Sequence, residues 1–340
     1  MMNPESGTAV CRGQAMITLN DYLYDGHTLL KILRDYAEDL RNDAKRTHNQ
    51  ADLVHSNFLV QISELLEHND FLTFQSQRIR ELYKYMARVY PFLSFTFKGR
   101  IKSLIRAEEK FNGRLLGSVY DYYGEHGVFP AFSEIRNQLL FRDLIAYRVV
   151  ISLPKCHLRP GENRKELELV YLYELADVIP EFLEERGFSV ELSSERISKR
   201  LTPEAQPYYK DYIEFPNTFG YQSLHITVYD NSSRSHFELQ LRTKEMDDAA
   251  EIGLANHLGY EKRQEKERAK RAEIPQGSCV WFDEAYERVM KLQSLDLSRV
   301  DVDMFAAVNN LVINDGCGLY RGRQITPFEH LSRFQNDLVD

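Results

Sequence analysis

Two runs that alternate with period two, Gln222–Tyr229 and His236–Arg242, constrain this 340-residue chain more than any other stretch. Successive side chains of a strand point to opposite faces, so each run has a sorted composition. Leu224, Ile226 and Val228 share one face, and Ser223, His225 and Thr227 share the other. In the second run Phe237, Leu239 and Leu241 oppose His236, Glu238, Gln240 and Arg242. The residues between the runs, Asp230-Asn231-Ser232-Ser233, have the chemistry of a hairpin turn. A chain built this way buries the apolar face under a sheet and leaves a face of two His, a Glu, a Gln and an Arg. Alternation alone is also compatible with a solvated sheet face.

The rest of the chain supplies partners for that sheet. Leu144–Ile151 is rich in β-branched residues and predicts a strand. Leu167–Arg186 has helical spacing, with a break or kink at Pro180 and a C-cap at Gly187. Phe188–Leu192 predicts a short strand, a polar loop runs to Gly220, and Lys244 to about Gly259 returns to helical spacing. The expected fold class is α+β, a mixed β-sheet flanked by helices, with helical N-terminal and C-terminal extensions. From Leu19 to about Tyr90 apolar residues recur at helical spacing (Leu23, Leu30, Leu33, then Phe58, Ile62, Leu65 and Leu66). No Gly or Pro interrupts Thr28–Tyr90, which predicts two or three packed helices. Beyond Lys262 a charged helix leads to a linker at Pro275-Gln276-Gly277 and a tail holding the only Trp, Trp281. The Gly-rich stretch Asp315-Gly316-Cys317-Gly318 lacks the Lys-Ser/Thr pair of a phosphate loop. The expected division is a flexible tail over 1–18, a helical region over 19–90, a catalytic domain over 91–262 and an extension over 263–340.

Composition excludes some classes. No apolar run approaches the roughly 20 residues that span a bilayer, and Met1–Met16 carries no apolar signal core. A cytoplasmic protein without a membrane partner is expected. Cys11, Cys156, Cys279 and Cys317 are far apart and form no C-x-x-C pair, which argues against a zinc site or a disulfide framework. Net charge is −8, so any affinity for polyanions must be local. Two basic stretches stand out, Lys98–Arg114 and Lys262–Arg271. In the first, a helix starting near Ser103 would carry Arg106, Lys110 and Arg114 on one stripe, with Arg100 and Lys102 just before it. A helix start surrounded by guanidinium and ammonium groups suits a polyphosphate. A solvated basic face paired with Glu108 and Glu109 fits the same residues. Asp143 stands before the Leu144–Ile151 strand with Arg148 five residues on. Paired with Glu238 from a neighbouring strand, it could hold Mg2+, which takes its remaining oxygens from water and phosphate.

These pieces occur in a recognisable order. Asp143-Leu-Ile-Ala-Tyr-Arg148, Lys210-Asp211-Tyr212-Ile213, Gly220-Tyr221-Gln222-Ser223-Leu224-His225, Glu238-Leu-Gln240-Leu-Arg242-Thr-Lys-Glu-Met246 and Ala250-Glu251-x-Gly253-x-Ala255-Asn256-His257 follow one another. Together they resemble the synthetase domain of the RelA/SpoT family, over about residues 95 to 262. The resemblance implies a pyrophosphokinase that moves the β,γ-diphosphate of ATP to the 3′-hydroxyl of GDP or GTP, with Mg2+ as cofactor. Arg100 and Arg148 would flank the adenine, Lys102, Arg106 and Lys110 the ATP phosphates, and Asp143 and Glu238 the metal. Glu238 could also take the proton of the 3′-hydroxyl. Tyr221 would stack on the acceptor base, with Lys210, Gln222, Ser223, His225, Gln240, Arg242, Asn256 and His257 around the acceptor. Two departures bear on the substrate. Arg106 stands where the family has Ser, and the loop Pro216-Asn217-Thr218-Phe219-Gly220 lacks the family's Lys after its Pro. No His-Asp pair occurs, so the hydrolase half of long members is not expected. Two alternatives stay open: a toxin-type relative acting on adenine nucleotides or the tRNA 3′ end, and an inactive module that binds nucleotide or a partner. Candidate partners beside the nucleotides are tRNA on the basic run Lys262–Arg271, a second copy of the chain, and a regulatory or antitoxin protein.

Overall fold

A computed structural model describes residues 16–295, save 25–26, 68, 103, 194–197, 217–219, 253–268, 272 and 276–278. The N-terminal helical pattern resolves into α1 (Asn20–Leu23), α2 (Leu29–Thr47), α3 (Gln50–Glu67) and α4 (Asn69–Val89). Local chemistry punctuates them. The Thr28 side chain caps α2 by accepting from the Lys31 N–H. His48 takes a left-handed conformation, φ 59°, between α2 and α3. The Asn49 carboxamide oxygen then accepts from the N–H groups of Ala51 (3.0 Å) and Asp52 (3.3 Å), capping α3.

The sheet combines β1 (Ser94–Ile101), β2 (Ile145–Ser152), β3 (Phe188–Val190), β4 (Tyr209–Asp211), β5 (Leu224–Asp230) and β6 (Ser235–Thr243). Its order is β1-β2-β6-β5-β3, with β4 also pairing with β5. β2 and β6 run parallel; the other pairs are antiparallel. A parallel pair needs a crossover, and α7 (Arg164–Glu184) lies within it. That helix runs three residues further toward its N-terminus than its spacing suggests and continues through Pro180. Gly187 follows it at φ +77°, a backbone conformation that a side chain disfavours. The expected hairpin joins β5 to β6, with Asp230 opposite Ser235. Two strands were not anticipated. β1 hides in the approach to the basic helix, and β4 in the polar loop before Gly220.

Two apolar cores result. One lies under the sheet, where Phe95, Phe97, Tyr147, Phe237, Leu239 and Ile226 meet Ile79 and Met86 of α4 and Leu172 and Ile179 of α7. The other is helical and draws on distant segments: α2, α3, α5 (Leu104–His126), a short α6 (Phe132–Ile135), Ile274, and α9 (Val280–Gln293). Each fully buried Leu or Phe contributes about 1.5–3 kcal/mol, so both cores are substantial. α9 docks directly on α5: Phe282 meets Tyr120 edge-on with centroids 5.6 Å apart. α8 (Lys244–Ile252) packs on β6 and β2 on the polar side of the sheet.

Candidate active site

Strand register sets the polar face. Lys98 pairs with Arg148, Arg148 with Gln240, Gln240 with His225, and His225 with Lys210, so one cross-strand row crosses four strand boundaries. The adjacent row runs Arg100, Ala146, Glu238 and Thr227. Arg148 and Gln240, 92 positions apart in sequence (240 − 148), thus become neighbours because β2 and β6 run parallel side by side.

Asp143 lies two residues before β2, where two cations meet it. Its Oδ2 accepts from Lys102 Nζ at 2.9 Å and also from Lys110 Nζ. Lys102 precedes α5 and Lys110 is in its second turn, so the helix start delivers both ammonium groups. Burial alone would raise the Asp143 carboxyl, but Lys102 and then Lys110 hold it well below the ordinary range. Lys110 shows the opposite balance: burial, then the charge of Lys102, pushes it down to about 8 despite the carboxylate. The other carboxylate oxygen, Oδ1, is buried and has no hydrogen-bond partner among the described residues.

Glu238 has its own frame. Its Oε1 is 3.0 Å from His225 Nδ1, and its Oε2 accepts from Gln240 Nε2 at 2.5 Å. Burial opposes its ionisation, but the charge and hydrogen bond of His225, aided by Gln240, bring the carboxyl down to about 2. Asp143 pushes the other way, so the two carboxylates sense each other. His225 Nε2 meets the Tyr221 hydroxyl at 2.8 Å. Arg242 donates to that hydroxyl and to Gln240 Oε1 (3.0 Å). The Tyr212 ring packs edge-on against His225 and Tyr221, at 5.0 and 5.9 Å.

The structure therefore brings together Lys102, Lys110, Asp143, Arg148, Lys210, Tyr221, His225, Glu238, Gln240 and Arg242. Others stand apart. Arg106 is half-exposed and pairs with Glu109 at 2.8 Å. Arg114 donates to the Leu140 carbonyl and lies over the Phe141 ring. Gln222 stands at the surface edge, whereas Ser223 is buried beside the site, its hydroxyl donating to the Leu241 carbonyl (3.1 Å) and accepting from Arg242 Nε (3.5 Å). Arg100 is placed by its backbone pairing with Ala146. Asn256 and His257 lie outside the described residues. Glu108 does not serve the basic stripe: it is fully buried between Tyr36 (2.7 Å) and His55 (2.6 Å). At the end of the second basic run, Arg271 is buried against Asp283 and the Phe282 ring. The site residue that sequence reasoning missed is Asp247, whose Oδ1 accepts from Arg148 at 2.9 Å and Arg242 at 3.3 Å. Its only signal is an acidic residue on the inner face of an otherwise exposed helix start.

Asp143 and Glu238 fit a divalent cation. Both are held ionised, they repel one another, and Asp143 offers a buried oxygen that none of the described residues satisfies. Hard oxygen donors are what Mg2+ selects. Among the described residues no helix is long and apolar enough to cross a membrane.

Comparison with known proteins bears on the same segment. Residues 189–265 match the family model "Region found in RelA / SpoT proteins". A GTP pyrophosphokinase rsh of Brucella ovis is 35% identical over 81 residues, 24% of this chain and 11% of that protein. A putative chloroplastic GTP diphosphokinase RSH1 of Oryza sativa subsp. japonica is 54% identical over 50 residues, 14% of this chain and 6% of that one. The chain thus spans about a tenth or less of the length of these curated relatives. Small alarmone synthetase 2 from Bacillus subtilis covers 69% of this chain and 95% of its own, at 18% identity and TM-score 0.30. Small alarmone synthetase 1 from Bacillus subtilis, bound to its product pppGpp, covers 70% and 93%, at 16% identity and TM-score 0.30.

Proposed function

We propose that this chain, a member of the RelA/SpoT proteins, is a pyrophosphokinase that transfers the β,γ-diphosphate of ATP to the 3′-hydroxyl of GDP or GTP. The observation that carries the reading is the convergence of Asp143, with its two lysines, and Glu238, with His225 and Tyr221, on one sheet face. One half of that face suits a donor triphosphate and the other a stacked acceptor.

Asp143 and Glu238 would hold Mg2+, which when bound supplies charge neutralisation of the triphosphate. Lys102 and Lys110, paired with Asp143, would turn toward the donor phosphates. Arg148 and Arg100 would flank the adenine, and Tyr221 would stack on the acceptor base. The acceptor 3′-oxygen attacks the β-phosphorus, the bond from that phosphorus to the α,β-bridging oxygen breaks, and AMP leaves with the bridging oxygen. A carboxyl held down to about 2 is a weak proton acceptor near neutral pH, which favours Glu238 as metal ligand and positioner, with the proton of the 3′-hydroxyl passing by way of its carboxylate to solvent water as the oxygen attacks. Positioning and charge stabilisation would carry most of the catalysis, as in other phosphoryl transfers.

The test is transfer of label from β-labelled ATP with Mg2+, offering GDP, GTP, AMP, ATP and tRNA in turn. Label on GDP or GTP supports the proposal. Label only on an adenine nucleotide or tRNA replaces the acceptor, and no transfer to any of them refutes the enzyme.

A further inference from the structure

Asp247 stands at the junction of the two halves of the site. It lies in the first turn of α8, its side chain only 3% exposed. A single oxygen, Oδ1, accepts from Arg148 on β2 at 2.9 Å and from Arg242 on β6 at 3.3 Å. Both arginines are themselves mostly buried, Arg148 at 11% and Arg242 at 3% side-chain exposure. Two guanidinium groups on adjacent parallel strands repel, and in a water-poor setting that repulsion is felt strongly. One carboxylate bridges the two and offsets part of that repulsion, so their positions are not independent. The far end of the bridge is tied as well. Arg242 donates to the Tyr221 hydroxyl and to Gln240, and Gln240 holds Glu238. A continuous chain of charged and polar contacts therefore runs Arg148–Asp247–Arg242–Tyr221.

We infer that Asp247 is a positioning residue that couples the donor and acceptor subsites, so that occupation of one raises affinity for the other. The inference rests on the proposed function, which sets Arg148 at the donor nucleotide and Tyr221 at the acceptor. An acceptor base seated on Tyr221 shifts Arg242. A displaced Arg242 releases its share of Oδ1, and Asp247 then holds Arg148 more firmly in the orientation that the donor base meets. Coupling of this kind is reciprocal: ATP must raise acceptor affinity by the same factor.

The test uses the full chain, Mg2+, α,β-methylene-ATP (in which the bond to be broken is blocked) and GDP, with titration calorimetry for each nucleotide alone and in the presence of the other. In the wild type each nucleotide tightens the other by about fivefold or more. Asp247→Asn, which keeps size and one acceptor oxygen but removes the charge, brings that factor below about twofold, whatever it does to each separate affinity. If the Asn variant does not fold, as judged by circular dichroism, Asp247→Glu decides in the same way, because the added methylene displaces the shared oxygen while retaining its charge. Undiminished coupling in the folded variant overturns the inference. So does equal weakening of both nucleotides with coupling preserved, which is the signature of a merely structural role. Wild-type protein that binds both nucleotides without coupling also overturns it, while leaving the functional proposal standing. Wild-type protein that binds neither defeats the functional proposal itself.

Discussion

Replacing Arg288 by Ala tests whether the segment beyond residue 278 is part of the folded body. Arg288 is on α9, its side chain 4% exposed, and donates to Asp52 Oδ1 of α3 at 2.7 Å; Asp52 is 1% exposed. Its Nε also donates to the Ile17 carbonyl at 3.1 Å. The substitution leaves a buried carboxylate with no counter-charge, which costs roughly 3–5 kcal/mol. Loss of the donor to Ile17 adds about 1 kcal/mol. A total of about 5 kcal/mol is a large part of the roughly 5–15 kcal/mol by which domains are stable. With a urea slope of about 3 kcal/mol/M the unfolding midpoint should fall by more than 1 M, followed by far-ultraviolet circular dichroism. Adding Asp52→Asn to the Arg288→Ala variant should recover part of the loss, because the stranded charge is then gone. A loss under about 1 kcal/mol for Arg288→Ala would refute the reasoning, because the ion pair would then be open to water.

Glu238→Gln and Asp143→Asn should each reduce diphosphate transfer by at least about 100-fold with the circular dichroism spectrum unchanged; near-normal turnover in either sinks the site assignment. Lys110 titrates near 8, so its charge is lost as pH rises past that value. The kcat/KM for ATP should then fall above pH 8, by up to about tenfold per pH unit, and Lys110→Arg should move the break to higher pH. An unmoved break would assign that titration to another group. Glu238 is held down to about 2, below its unfolded value of about 4.3, so it adds stability that is present above pH 4.3 and lost as pH falls through 2. Glu238→Gln should therefore flatten the stability–pH curve between about pH 4 and 2, measured by urea unfolding at each pH.

Much of the site was legible because period two is a strong signal. Alternation alone sorted His225, Glu238, Gln240 and Arg242 onto one face, and the register places them there. β1 was less legible although Phe95 and Phe97 alternate with Thr96 and Lys98, because Gly99 and the basic run beside it dominate that stretch. β4 is only three residues long, too short for any period to register. The docking of α9 was not legible at all. An amphipathic pattern says that a helix buries a face, not what covers it, and here the cover comes from α5 and, through Arg288, from α3, more than 200 positions away.

Glu108 shows why charge reading on a helix needs the packing. Beside Arg106 and Lys110 it reads as a counter-ion of a basic stripe, yet consecutive helical residues are about 100° apart and two apart about 200°. Lys110 therefore faces Asp143 while Glu108 faces the opposite way, into the helical core. There His55 stacks on Phe111 at 4.2 Å and bonds Glu108, and the charge of His55 holds that carboxyl low against the effect of burial. A fully buried, hydrogen-bonded carboxylate fixes a helix's rotation more tightly than apolar packing does, because a small turn leaves it unpaired. The rotation of α5 sets where Lys110 points. The helices outside the 189–265 match thus bear on the polar sheet face through α5: the same turn that buries Glu108 against Tyr36 and His55 brings Lys110 to Asp143.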